Sequence, residues 1–417
     1  MFQPDLEAMP AEERRALQDE RLAALLERLR SSSTEYWRGK LAGVDADGIE
    51  AVPFTTKAEL RDAYPFGTLA VGLERTVRVH ASSGTRGKAL VVAYTAADIE
   101  LFAQVVARAL ACAGARQSDV LHVAYGYGLF TGGLGFHYGG ELLGATVVPA
   151  SGGNAGLQLE LMADLGANGL ACTPSFALLL AERAAEAGVA GTIPLRYGLF
   201  GAEPWSEAMR EKLERAWGID ACDVYGLSEV IGPGVAAECR EAKGALHVFD
   251  DHFLPEIVHP ETGRAVAAGE RGELVLTTLT KEAFPVLRYR TGDVTSFVDE
   301  PCPCGRTHRR IARFSGRVDD MLVVRGINVF PSEIEAVVLA DPALDGPYAI
   351  VVDRRRALPE LEVHVETKGA AEGVAERLER RLRLRVLVVA CAPGSLPRTE
   401  TGKAKRLFER VDETDPW

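Results

Sequence analysis

Seven consecutive residues, Ser82-Ser83-Gly84-Thr85-Arg86-Gly87-Lys88, combine hydroxyls, glycines and cationic side chains. A loop of this composition can turn successive backbone N–H groups towards phosphate oxygens, with a cation close by. It is not a Walker loop, because Ala89 follows Lys88 where G-x-x-x-x-G-K-[ST] requires a hydroxyl. A second string, Asp223-Val224-Tyr225-Gly226-Leu227-Ser228-Glu229, follows a predicted strand. An acidic group beside a hydroxyl at a strand end can hold Mg2+ against phosphates. In Tyr289-Arg290-Thr291-Gly292-Asp293 the aspartate at a turn can accept hydrogen bonds from both hydroxyls of a ribose. Two more strings stand out, SGRVDDMLVVRGINVFPSEIE at 315–335 and Pro397-Arg398-Thr399-Glu400-Thr401-Gly402-Lys403. Each string by itself reads equally well as a surface turn or a salt-bridged face.

The elements that must position these strings are legible in the apolar pattern. Residues 10–31 read as an amphipathic helix with Leu17, Leu22, Leu25, Leu26 and Leu29 near helical spacing. From about residue 96 short apolar strands (Val120–Ala124, GLACT, Arg196–Leu199) alternate with helices, among them Phe176–Ala187 and Ser206–Trp217. That alternation predicts an α/β sheet with crossover connections, whose strand ends bind ligands. After about residue 265 the pattern becomes more antiparallel, and beyond Asp319 a compact β-β-α run remains. We therefore expect a large domain over residues 1–318 and a small α+β domain over 319–417.

Composition narrows the function. The net charge of −12 disfavours a general nucleic-acid partner, since a phosphate backbone needs a basic face. No apolar run reaches the ~18 residues of a membrane span, and the acidic, polar start MFQPDLEAMPAEERRALQDERL is not a signal peptide. A cytoplasmic protein with no membrane partner is expected. Seven scattered cysteines argue for reduced thiols over a disulfide framework. The turn Cys302-Pro303-Cys304-Gly305, with Cys239 and His247, would supply a Cys3His set of the kind that closes a structural zinc site, provided the fold joins the two halves. The alternative is reduced thiols in a loop.

The order of the strings is more specific than any one of them. A hydroxyl/Gly loop, then YGLSE, YRTGD, GRVDD and a terminal GK resembles the adenylate-forming enzymes. The longer strings YGYGLFTGGLG, VYGLSEVIGPGVAAEC, LTKEAFPVLRYRTGD and SGRVDDMLVVRGINVFPSEIE sharpen this to the phenylacetate–CoA ligase group, from about residue 55 to residue 406. The resemblance implies a large adenylate-forming domain with mixed sheets and a mobile C-terminal domain. It also implies an ATP-dependent ligase that converts phenylacetate or a related aryl acid to its coenzyme A thioester through an acyl-adenylate. Alternatives are an enzyme passing the acyl group to a carrier-protein thiol or an amine, and a non-catalytic nucleotide-binding regulator. A homodimer is suggested by analogy.

By the same resemblance, Ser82, Ser83, Gly84, Thr85, Arg86, Gly87 and Lys88 close over the β- and γ-phosphates of ATP. The group usually has Thr and Pro where this chain has Arg86 and Ala89. Gly201, Ala202, Glu203 and Pro204 line the adenine pocket, Tyr225 stacks on adenine within the Asp223, Gly226 and Ser228 string, and Glu229 binds Mg2+. Asp293 holds the ribose, assisted by Arg317. Lys403 bridges carboxylate and α-phosphate during adenylation, where a point charge on a flexible stem offsets the meeting of two anions. Asp319 matches the hinge, and rotation about it presents Arg325, Gly326 and their neighbours to coenzyme A. Tyr125, Phe130 and adjacent glycines shape a flat slot for the aryl ring, with Gly201 beside it. Phe136 stands where a smaller residue is usual and could narrow that slot.

Overall fold

The computed structural model describes residues 1–44, 48–82, 89–318, 322–325, 327–341, 344, 347–355, 359–367, 373–397, 406–412 and 414. Ser83, Gly84, Thr85, Arg86, Gly87, Lys88, Asp319, Gly326 and Lys403 lie outside the described residues.

Local sequence rules set the helices that frame the main sheet. Ala96–Cys112 starts at Thr95, whose side chain accepts from the Asp98 N–H while Asp98 reaches back to the Thr95 N–H, a reciprocal cap. Pro174–Glu186 is capped by Thr173 with proline in its first turn. Glu207–Trp217 is capped by Ser206 and stops at Gly218 in the left-handed region, φ +68°.

Nine strands form the central sheet, in the spatial order Phe297–Val298, Arg310–Ala312, Ala242–Val248, Gly232–Cys239, Asp220–Leu227, Tyr197–Gly201, Gly169–Cys172, Val120–Val123 and Thr146–Val148. The last five pair in parallel, as the alternating pattern predicts. From Gly232 onward the pairing is antiparallel. The switch thus comes some thirty residues before the position expected from the sequence. Pro233 obscures it: a proline reads as a strand breaker, yet here it faces Gly226, next to the register shift at Tyr225/Gly226. A second, antiparallel sheet holds Phe253–Val258, Gly272–Thr278, Tyr289–Thr295 and Gly316–Arg317.

After a short helix at Pro4–Glu7, the long helix Ala11–Arg30 is close to the predicted span. Leu25, Leu26 and Leu29 are buried as expected, but Leu17 and Leu22 are only half-buried. The first half instead buries Arg14, which bonds His308 and pairs with Asp250.

Past residue 321, the hairpin Leu322–Val324/Ile327–Val329, the helix Pro331–Leu339 and the sheet Val386–Cys391, Glu360–Glu366, Tyr348–Asp353, Leu407–Arg410 form the C-terminal unit. Its Val324, Val329, Ile334 and Val338 share one apolar cluster with Phe200, Trp205, Met209 and Leu213. Among the described residues no helix is long and apolar enough to cross a membrane.

Candidate active site and metal cluster

Three parallel strands deliver three of the sequence-predicted groups to one edge of the sheet. Tyr125 follows Val120–Val123, Gly201 ends Tyr197–Gly201, and Tyr225 lies near the end of Asp220–Leu227. This is the carboxyl edge at which open α/β sheets bind ligands. Backbones crowd there: a side chain at Gly201 would collide with the Val224 carbonyl, and one at Gly226 with the Gly232 carbonyl.

The Tyr225 hydroxyl donates to Asp293 Oδ2 at 2.6 Å, and Arg317 Nη1 donates to Asp293 Oδ1 at 3.0 Å. Asp293 and Arg317 are register partners of adjacent strands, which fixes this geometry. Burial, then the Asp293 carboxylate, push the Tyr225 hydroxyl well above its usual range, so it stays a donor. Its ring lies against Phe314, with centroids 4.3 Å apart. Asp223 is flanked by Arg313 at 3.8 Å, and burial raises its carboxyl above the usual range against that guanidinium.

Glu229 is buried, with Oε1 3.1 Å from Lys57 Nζ. Lys57 is thus the cation this buried carboxylate meets among the described residues, and a buried carboxylate beside a hydroxyl has the donor chemistry that fits a Mg2+ site. A cleft of about 240 Å³ lined by Lys57, Tyr289, Thr291, Arg317 and Val318 lies between the Glu229 and Asp293 neighbourhoods. Neither Lys57 nor Phe314 stands out in the sequence, because each meets its partner only through the fold.

Ser82 is the one residue of the hydroxyl/Gly string among the described residues. Its N–H donates to the Leu90 carbonyl at 2.9 Å, and its Oγ accepts from the Leu90 N–H at 3.2 Å. The Ala81 N–H donates to Leu129 O at 3.1 Å, tying this strand to the YGYGLF segment. There Tyr125 stacks on Phe136 with centroids 5.2 Å apart and 11° between planes, and Phe130 leans over Tyr125 at 6.3 Å. Phe136 is fully buried and backs Tyr125, whereas Phe130 is 38% exposed. The glycines divide their roles. Gly126 and Gly128 border open space, whereas Gly135 faces Phe102 and Gly139 faces Val106, which brings the helices Ala96–Cys112 and Gly132–Leu143 together. Ala202, at φ +70°, opens the turn that carries Glu203 and Pro204. Gly226, still within the strand, and Ser228, in the turn that follows it, are both half-buried. Arg325, at φ +52°, donates to Pro359 O and Glu360.

A second cluster lies where Gly232–Cys239, Ala242–Val248 and the 302–305 turn meet. The ligand atoms of Cys239, His247, Cys302 and Cys304 all lie within 4.8 Å of one another. Cys239 Sγ is 3.4 Å from Cys302 Sγ, and Cys304 Sγ is 3.5 Å from His247 Nε2. The Arg306 N–H donates to Cys304 Sγ at 3.5 Å. The neighbouring Cys239 thiol, then His247, hold the Cys304 thiol well below its usual range. The fold therefore joins the two halves of the Cys3His set, a donor combination that fits tetrahedral zinc.

Comparison with known proteins agrees with the strings. Residues 50–279 match the AMP-binding enzyme family, and residues 326–410 match the AMP-binding enzyme C-terminal domain. The chain is 46% identical to the phenylacetate-coenzyme A ligase of Thermus thermophilus, covering 98% of this chain and 99% of that protein. It is 47% identical to the enzyme of the same name from Escherichia coli, covering 97% and 96%. Among solved structures, 2-hydroxyisobutyryl-CoA ligase in the postadenylation state, with an acyl-AMP bound, superposes with a TM-score of 0.91 at 28% identity, covering 98% of this chain and 92% of that one. The same enzyme in the thioesterification state, with CoA also bound, gives 0.73 at 28% identity, covering 97% and 91%. Strings, fold and relatives agree: the chain belongs to the phenylacetate–CoA ligase family of adenylate-forming enzymes and is an ATP-dependent ligase that forms a CoA thioester by way of an acyl-adenylate.

Proposed function

We propose that the acid is phenylacetate or a closely related aryl acid, held between Tyr125 and Phe130 beside Gly201. The observation that carries this reading is the flat aromatic wall: Tyr125 is fixed face-on by the buried Phe136, next to open space at Gly126 and Gly128. A planar ring stacks on such a wall with little loss of conformational freedom.

In the adenylation step the carboxylate attacks the α-phosphate of ATP and pyrophosphate leaves. Asp293 and Arg317 fix the ribose, Tyr225 stacks on the adenine, and Gly201, Ala202, Glu203 and Pro204 line the base pocket. Ser82, Ser83, Gly84, Thr85, Arg86, Gly87 and Lys88 wrap the leaving phosphates. Glu229 holds Mg2+, which when bound offsets phosphate charge. Lys403 donates to carboxylate and phosphate oxygens as negative charge shifts between them. The CoA thiol then attacks the acyl carbon and AMP departs, after the C-terminal domain (319–417) turns about Asp319 to present Arg325 and Gly326. Cys239, His247, Cys302 and Cys304 hold a structural zinc ion that pins the 302–305 turn to the sheet. The same reading includes a homodimer working in the cytoplasm, which sedimentation and cell fractionation test.

The deciding experiment measures pyrophosphate release with ATP, Mg2+ and a panel of aryl acids, each with and without CoA. Release that requires phenylacetate, yields phenylacetyl-CoA and vanishes in Lys403→Ala is expected. Release with a different acid alone would overturn the substrate assignment.

A further inference from the structure

Two side chains of the C-terminal unit, Glu335 and Arg406, meet the starts of two helices of the large domain. Glu335 Oε1 accepts from the Ser206 N–H at 3.1 Å, at the N-terminus of the large-domain helix Glu207–Trp217. Its other oxygen takes hydrogen bonds from the Tyr348 hydroxyl and Arg406 Nη1. Arg406 Nη1 also donates to the Tyr348 hydroxyl at 3.0 Å, and the guanidinium sits 4.8 Å over the Tyr348 ring. From there Arg406 Nη2 reaches Ser175 Oγ at 3.4 Å, and the Ser175 N–H donates to Glu203 Oε1 at 2.7 Å.

Charge alternates across the boundary, from helix N-terminus to Glu335, Arg406 and Glu203. Glu335 and Tyr348 are buried, so water does not substitute for these bonds while the two surfaces are together. The chain makes this junction in a domain disposition that superposes on the postadenylation state of a relative at 0.91 and on its thioesterification state at only 0.73. Contacts that bridge two bodies in one disposition must break when the bodies turn, so they bias the equilibrium between dispositions.

We propose that Arg406, braced by Glu335 and Tyr348, is an interdomain latch that holds the C-terminal unit against Ser175 and Ser206 in the adenylation arrangement and releases for the thioester step. Arg406 immediately precedes the strand Leu407–Arg410 and stands three residues after Lys403 in the sequence. It is a positioning residue. The proposal rests on the reading of Lys403 as the adenylation lysine.

The test separates the half-reactions in the full-length enzyme. ATP–pyrophosphate exchange with phenylacetate reports adenylation, and thioester formation from synthetic phenylacetyl-adenylate with CoA reports the second step. Arg406→Met is expected to slow exchange about tenfold or more while the second step is unchanged or faster. Arg406→Lys restores part of the exchange. Ser175→Ala lies on the large domain and cannot unfold the small one, and it lowers exchange alone by roughly twofold. Equal losses in both half-reactions, or exchange unchanged in both Arg406→Met and Ser175→Ala, would overturn the latch. Lys403→Ala is run alongside. If it retains exchange, the lysine assignment fails, and the Arg406→Met split still shows whether the contact favours one disposition.

Discussion

Cys239 Sγ and Cys302 Sγ lie 3.4 Å apart although 63 residues separate them in the chain. A disulfide would bring the sulfurs to about 2.05 Å, whereas two thiolates on one tetrahedral zinc stand about 3.8 Å apart. Together with His247 and Cys304, the pair has the spacing of a metal site. The purified protein is expected to hold about one zinc per chain. Removing it should lower the melting temperature by on the order of 5 °C. Plasma mass spectrometry and melting curves with and without chelator check this, and Cys304→Ser should melt like the chelated protein. Metal-free protein that melts at the same temperature as the untreated enzyme would assign the cluster to plain thiols.

All four members of the metal set are named from the sequence, but their meeting is not. Cys302-Pro-Cys304-Gly is a recognisable turn, but only the pairing of Ala242–Val248 with Arg310–Ala312 places it against His247. The parallel half of the sheet was readable because Gly169–Cys172 and Tyr197–Gly201 are wholly buried and therefore apolar throughout. The antiparallel switch was not, since Gly232-Pro233-Gly234 carries the composition of a loop while lying inside the sheet. Arg14 shows the same limit: its buried role depends on His308 and Asp250, hundreds of residues away. Ordered strings transmit chemistry well, while single residues such as Lys57 acquire theirs from tertiary structure alone.

Asp293 carries both the Tyr225 and Arg317 hydrogen bonds, and in the proposed reading its charge holds the ribose. Asp293→Asn keeps the shape and removes the charge. Charge-assisted bonds contribute about 1.5–3 kcal/mol, so the KM for ATP should rise roughly tenfold or more. Tyr225→Phe deletes one bond and leaves the ring, so its effect should be smaller. Exchange kinetics at varied ATP distinguish the two variants; equal effects would mean that the hydroxyl, not the carboxylate, governs nucleotide binding.

Arg108 and Asp251 form a two-pronged pair at 2.8 and 3.0 Å, both wholly buried, and Arg108 Nε also holds Gln3 at 2.6 Å. Burial pushes the Asp251 carboxyl up, but His252 and then Arg108 more than reverse this, leaving it well below the usual range. Arg108→Met would remove the two-pronged partner and leave the carboxylate, among the described residues, only Arg21 at 3.8 Å and His252 at 3.3 Å, at a cost of about 3 kcal/mol. Adding Asp251→Leu should recover part of the loss, because the under-compensated buried charge goes with it. Denaturant melts of the single and double variants measure the coupling; strictly additive losses would refute an under-compensated charge as the cause.

Lys281 has no exposed surface, and among the described residues its Nζ has no hydrogen-bond partner; it rests 4.6 Å from the centre of the Tyr94 ring. Asp98 accepts from the N–H groups of Glu282 and Ala283, and Arg28 donates to the carbonyls of Lys281 and Glu282, so the backbone cannot swing the ammonium out. Burial lowers its pKa from 10.5 to about 8, opposed by Asp98 and Glu229. The folded state therefore gives up this proton at lower pH than the unfolded chain does. Below about pH 8 both states carry the charge and folding bears the full burial cost; as pH rises towards 10.5 that cost disappears. Lys281→Met should accordingly be more stable than the parent at pH 7, by up to about 3 kcal/mol. The advantage should shrink steadily between pH 8 and 10.5. Comparing the two proteins at each pH cancels the tyrosines and cysteines that titrate in the same range. A stability difference independent of pH would show that Lys281 is paired in the folded enzyme.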